Sequence, residues 1–299
     1  MRFFTWVQSS RRRSPGASRE AASDRRRAIR RVRPTLDPGA AFEPRALLSA
    51  AIAPSAIGSL APTSPAAGSS LDSATHATIL QQRAATIVLP PGLEPGRTYP
   101  LVVAFSYDGQ PDGNQYTPLA LWKTLGPKLG WIVYASKEYD NTEFFQGPAV
   151  IRDVAQSIKA HLDAAIASLP VDPSRIILTG LSGGANFAEF FNLTYPGFAA
   201  AVIENSGEIP FQFFGKPTNA HLEPPPDPQS FGDSRRIAVF LASPTDPLFY
   251  GLALHRDLPY YRSLGWQTRF LSFPGGHRFA PIPVYLKAID WLESRPSWQ

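Results

Sequence analysis

The chain of 299 residues has no cysteine and a single methionine. A thiol nucleophile and a disulfide framework are therefore excluded, and a zinc site would have to be made from histidine and carboxylates alone. Histidine is scarce too: His76, His161, His221, His255 and His277 are all there are. No apolar run approaches the roughly 20 residues that a membrane-spanning helix needs. Apolar residues still make up 43% of the chain, enough for an ordinary globular core.

What is present is unevenly spread. The net charge of +5 conceals 12 arginines against four acids within residues 1–45, a local balance of +8. The remainder carries −3. A duplex-binding domain needs its positive charge on a folded surface, so this distribution argues against a nucleic-acid partner. Arginine gives way to Ala, Pro and Ser in "LSAAIAPSAIGSLAPTSPAAGSS", and the 31 prolines point to a long irregular segment. Such a composition buries too little apolar surface to offset the entropy of ordering. Residues 1–80 are expected to form a disordered leader. Its order, basic then weakly apolar from Ala46 to Ala61 then small, is that of an export signal. The run E-x-R-x-L-L-S at Glu43–Ser49 resembles a short motif that precedes exported or surface-bound domains in some bacteria. Two prolines and a long basic segment depart from a standard signal, so a secreted or cell-surface location stands beside a cytoplasmic one.

From residue 84 the pattern changes to a folded domain reaching residue 299. "ATIVLP", "YPLVVAF", "GWIVYAS", "SRIILTG", "AAVIENSG", "RRIAVFLAS" and "QTRFLSFPGG" are short β-branched runs ending in turn residues, mostly with the character of buried strands. Helical patterns alternate with them. Val150, Val154, Ile158, Leu162 and Ile166 recur every fourth residue. Phe187, Phe190, Phe191 and Tyr195 form a second such face, and Pro283–Leu292 closes the chain with a third. Strand–helix alternation predicts an α/β fold: a mostly parallel sheet with helices on both faces.

Gly180-Leu181-Ser182-Gly183-Gly184 fits G-x-S-x-G between a strand and an amphipathic helix. A strand that turns abruptly into a helix strains the residue at the bend and leaves room only for small neighbours. The serine hydroxyl is thereby lifted to the helix N-terminus, where backbone N–H groups can receive negative charge. Such a hydroxyl needs a base, and the base an orienting acid. Asp246 lies just beyond one later strand in "IAVFLASPTDPLF". His277 lies just beyond the next, on the Pro-Gly-Gly turn of "TRFLSFPGGHRF". The other histidines sit in the leader, on helices or in a proline-rich loop. Asp227 and Asp233 precede the strand that starts near Ile237, and Asp290 lies on the last helix.

From about Thr86 to Leu292 the chain resembles the α/β-hydrolase fold. Within it the chain is similar to the esterase group that includes polyhydroxybutyrate-depolymerase-like, feruloyl-esterase-like and acetylxylan-esterase-like enzymes. The segments carrying this are "VDPSRIILTGLSGGANFAEFFNLTYPGFAAAVIENSG", "LASPTDPLF", "YYRSLGWQTRFLSFPGGH" and "AIDWL". The resemblance implies Ser182 as nucleophile, Asp246 as acid and His277 as base. It departs from the family after the Leu101–Phe105 strand, where "FSYDGQPDGNQ" replaces the usual His-Gly. The oxyanion hole is then expected from backbone N–H groups of Gly183 and of Tyr107 or its neighbour Asp108. The Asp108, Asp112 and Asn114 spacing misses the calcium-loop pattern and fits a polar turn, so no metal is expected.

Phe144 and Phe145 follow one strand, and Phe211 and Phe213 open an insertion at about 208–234 where the superfamily often carries a cap. These rings are candidates for an apolar substrate pocket, or for the core. The expected activity is hydrolysis of a small-molecule or polymer-linked carboxylic ester, with no cofactor. A serine peptidase of prolyl-oligopeptidase type and a non-catalytic protein on a hydrolase scaffold are the competing expectations.

Overall fold

In a computed structural model, the described residues are 77–211 and 236–298. The expected leader up to residue 76, most of the insertion with Phe213, and the side chains of Phe144 and Phe145 lie outside them.

Among the described residues eight strands form one sheet. They are β1 (Thr78–Gln81), β2 (Ala85–Leu89), β3 (Tyr99–Phe105), β4 (Ile132–Ser136), β5 (Val171–Leu181), β6 (Ala201–Asn205), β7 (Ile237–Ala242) and β8 (Gln267–Ser272). Their order is β1-β2-β4-β3-β5-β6-β7-β8. β1 and β2 run antiparallel, and every pairing from β4 through β8 is parallel. A parallel sheet needs crossover connections, and these cover both faces. α1 (Pro118–Leu129) and α6 (Ile282–Glu293) pack on one face; α2 (Pro148–Ser168), α3 (Gly183–Thr194) and α5 (Leu258–Ser263) pack on the other. A short α4 (Pro247–Leu252) leads through a π-helical turn, Ala253–Asp257, into α5.

Because side chains alternate along a strand, one strand serves both cores. Leu101, Val103 and Phe105 of β3 face α2 and α3, whereas Val102 and Ala104 face α1 and α6. β5 and β3 sit at the centre. The structure adjusts three expectations. First, Thr78–Gln81, which overlaps the end of the expected leader, forms β1 and completes the antiparallel edge. Second, β8 is only partly buried, since it closes the opposite edge and has one neighbour. Third, the buried stripe of α2 is Ile151, Ala155, Ile158, Leu162 and Ala165. A strict four-residue repeat turns about 40° per step around a helix of 3.6 residues per turn, so it leaves the core face. Spacings of three and four stay on it, and Val154 and Ile166 are left on the flank.

The α3 face is aromatic as expected. Phe187 stacks on Tyr139 at 4.2 Å between ring centroids and meets Phe105 edge-on at 4.9 Å. Such pairs contribute about 0.5–1.5 kcal/mol beyond their burial. They hold the start of α3 against the end of β3.

Carboxyl groups also lie under this face. Glu189 of α3, Glu204 of β6 and Asp257 before α5 are fully buried, with Glu208 close by and Arg256 as the cation packed among them. Arg256 donates to Asp257 at 2.6 Å and to Glu208 at 3.1 Å, and Tyr261 donates its hydroxyl to Glu189. Neither oxygen of Glu204 and only one of Glu189 has a hydrogen-bond partner among the described residues, and the charge of Glu189 raises the proton affinity of Glu204. Burial, reinforced by Asp257, pushes Glu189 up to about 8 despite the Tyr261 bond, and burial drives Glu204 well above the ordinary range.

Both folded-state values exceed the unfolded value of about 4.3, so the native state holds more protons. That contribution to stability is complete below about pH 4 and is lost as pH rises towards about 8. Urea denaturation of the wild type should therefore show a midpoint that falls from pH 5 to pH 8. The double variant Glu189→Gln/Glu204→Gln should show a flatter dependence over the same range.

Candidate active site

The C-terminal ends of β5 through β8 meet one edge of the sheet, and the chemically relevant loops leave from there. β5 ends at Leu181, and α3 begins at Gly183. Ser182 between them has φ 54° and ψ −122°. This is a strained backbone for a residue with a side chain, costing about 1–3 kcal/mol unless its surroundings impose it. They do so through its glycines. A Cβ on Gly180 would strike the backbone of Gly184, and one on Gly184 would strike the carbonyl of Phe105. A Cβ on Gly183 would come within 2.5 Å of the Asn141 side chain. The strand, helix and β3 terminus thus approach as closely as backbone allows. Asn186 N–H donates to the Ser182 carbonyl at 2.9 Å as α3 starts, and the Gly183 N–H lies in the first turn, where donors have no helical acceptor.

The Asp246 and His277 side chains meet. His277 Nδ1 lies 2.7 Å from Asp246 Oδ2. The aspartate side chain is 12% exposed and the imidazole 41%. An acceptor held on Nδ1 fixes the proton there and leaves Nε2 as the basic nitrogen. Phe249 stacks on the imidazole at 5.0 Å with 30° between planes, confining its rotation from one side. Gln115, Tyr116, Gly275, His277, Arg278 and Phe279 line a cavity of about 240 Å³ at this place.

Structural comparison puts the chain beside known proteins. It superimposes on a bacterial heroin esterase with a TM-score of 0.54 and 14% identity, over 75% of this chain and 85% of that one. It superimposes on the AtxE2 isopeptidase with a TM-score of 0.51 and 17% identity, over 75% of this chain and 40% of that one. The chain therefore spans well under half of the isopeptidase. No family model matches the sequence. No curated protein matches it either.

The chain has the α/β-hydrolase fold. In that fold the three residues singled out in the sequence leave the sheet after β5, β7 and β8, all at one edge. Tyr107 lies beside this edge, and its carbonyl accepts the Asn141 N–H at 2.7 Å. Asp108 stabilises its own turn, accepting from the Ser106 hydroxyl at 2.7 Å and from the Gln110 N–H at 3.0 Å. Phe211 packs edge-on against Tyr260 at 4.9 Å, under the Arg256 guanidinium. Phe144 and Phe145 fall on the 3₁₀ turn Asn141–Gln146, which Asp140 and Glu143 cap reciprocally. His161, on α2, pairs with Glu138 at 2.9 Å.

Sequence reasoning passed over the residues that hold these loops. Ser243, buried at the end of β7, accepts the N–H of Gly276 at 3.0 Å and that of Thr245 at 3.3 Å. One hydroxyl thus ties the aspartate loop to the histidine loop. Nothing in the local pattern around Ser243 signals this, since Gly276 is 33 positions away.

The strain at position 182 is separable from its chemistry. Ser182→Gly removes the unfavourable φ, at a cost of about 0.5–1 kcal/mol in chain entropy, whereas Ser182→Ala keeps the strain. Ser182→Gly is expected to be the more stable variant by about 1 kcal/mol in urea denaturation.

Proposed function

We propose that this protein is a serine hydrolase of carboxylic esters that works through an acyl-enzyme on Ser182. The observation that carries the reading is the 2.7 Å pairing of His277 with Asp246 at the sheet edge where strained Ser182 leaves β5. Nε2 of His277 takes the serine proton as Oγ attacks the ester carbonyl. Asp246 holds the ring and stabilises the imidazolium. The Gly183 N–H, with a second donor from the Tyr107 loop, binds the tetrahedral oxyanion. The alkoxide leaves with the proton from His277. Water then attacks the acyl-enzyme by the same route and restores the serine.

An ester substrate is favoured over a peptide because an alkoxide leaves more readily than an amide nitrogen and demands less of an exposed, single-imidazole acid. The likeness to both an esterase and an isopeptidase keeps peptidase activity as the second reading. The order of charges and apolar residues in the leader supports export, and N-terminal sequencing of the native protein checks it.

The wild type should react with a fluorophosphonate probe and hydrolyse p-nitrophenyl acetate, and Ser182→Ala should do neither. Asp246→Asn should lower kcat by about 10⁴, with binding of substrate little changed. Faster cleavage of a peptide p-nitroanilide than of the ester would select the peptidase reading. A wild type that takes up no probe would rule out both.

A further inference from the structure

His277 is held on both sides. The residue before it, Gly276, gives its N–H to Ser243. The residue after it, Arg278, gives its carbonyl to Asn205, whose Nδ2 lies 2.9 Å from that oxygen. Asn205 ends β6 and is completely buried. Its Oδ1 accepts the Ala280 N–H at 2.7 Å and the Tyr285 hydroxyl at 3.2 Å, and its Nδ2 also reaches the Ser206 hydroxyl at 3.3 Å. A backbone N–H can only donate and a carbonyl can only accept, so the orientation of the amide is fixed by its partners.

The main chain of the same residue serves the other side of the site. Asn205 pairs with Leu181 in the β5–β6 ladder, and its carbonyl accepts the Ser182 N–H at 3.1 Å. The chain turns sharply directly afterwards, with Ser206 at φ 46° and its N–H on the Leu241 carbonyl at 2.8 Å. One rigid position therefore binds the turn that carries the hydroxyl and, 73 and 75 positions further along the chain, the loop that carries the imidazole.

We propose that Asn205 is a positioning residue that sets the His277 imidazole against the Ser182 hydroxyl. This rests on the esterase reading above. A wholly buried amide with four partners is also good for stability, since each buried bond contributes about 1 kcal/mol. The geometry asks more of it than that. Its two amide atoms grip the histidine loop at Arg278 and Ala280, just before the chain enters α6. Release of that grip loosens the loop that carries the base, while the Ser182 turn keeps its own backbone bond to the Asn205 carbonyl. A displacement of about 1 Å between reacting groups costs about 10² in rate.

The test uses the full chain with p-nitrophenyl acetate and the fluorophosphonate probe. Asn205→Ala should lower kcat and the rate of probe labelling about 100-fold together, with KM changed by less than about three-fold. Asn205→Asp provides a sharper readout, and serves if the alanine variant fails to fold. Its carboxylate opposes the Arg278 carbonyl, but its protonated form donates to it as the amide does. The ratio of Asn205→Asp to wild-type kcat/KM should therefore rise as pH falls, a recovery that loss of stability alone would not produce. Tyr285→Phe removes one of the four bonds without freeing the loop, and should lower the melting temperature while keeping kcat within about three-fold. Folded Asn205 variants with near wild-type kcat and labelling rate, or an Asn205→Asp ratio that does not change with pH, would overturn the proposal. A wild type that does not label would instead remove the reading on which it rests.

Discussion

The architecture depends on one close approach, where β5 turns into α3 beneath the end of β3. Gly180, Gly184 and the Phe105 carbonyl lie so near one another that no side chain fits between them. That approach forces Ser182 into a backbone conformation that L-residues avoid, and it points the helix N-terminus at the same place. The strain persists because the rings of Phe187, Tyr139 and Phe105 hold α3 down on the sheet. Packing in the core and the strained placement of Ser182 are two consequences of one contact.

Parallel topology supplies the second requirement. With β5, β6, β7 and β8 adjacent and running the same way, every loop after them opens on one edge. Proximity of loops does not by itself place side chains to within a few tenths of an ångström. That precision comes from buried polar residues at the strand ends: Ser243 from β7 and Asn205 from β6. Each is fully inside the protein, where an unmet hydrogen bond costs about 1–3 kcal/mol, so their partners are strongly specified. The carboxyl pair of Glu189 and Glu204 lies on the other face of the same sheet region. It stands as a polar exception in an aromatic core.

Most of the architecture could be read along the chain because its signals are local. Buried strands such as β3, β4, β6 and β7 are short β-branched runs, and each was visible as such. Where the structure departed from expectation, a non-local cause can be named. β1 is four residues of unremarkable composition that acquire strand geometry only from β2. β8 looks buried in sequence but lies at an edge. The α2 stripe shifted because a repeat of four drifts around a helix, and the sheet selected Ile151 and Ala155 over Val150 and Val154. Phe211, left open between a pocket and the core, packs on Tyr260, since an aromatic run carries no mark of which surface it meets.

Local chemistry singled out the candidate groups. A serine between glycines, an aspartate after one strand and a histidine on a Pro-Gly-Gly turn are each specified within about ten residues, because backbone strain and turn geometry are properties of adjacent peptides. Tertiary structure decided how those groups are held. The tie from Asn205 to Arg278 spans 73 positions, and that from Ser243 to Gly276 spans 33. A hydrogen bond between distant segments leaves no periodicity or spacing in the chain, so only the folded sheet, by bringing four strand ends together, shows which buried amide and hydroxyl face which loop.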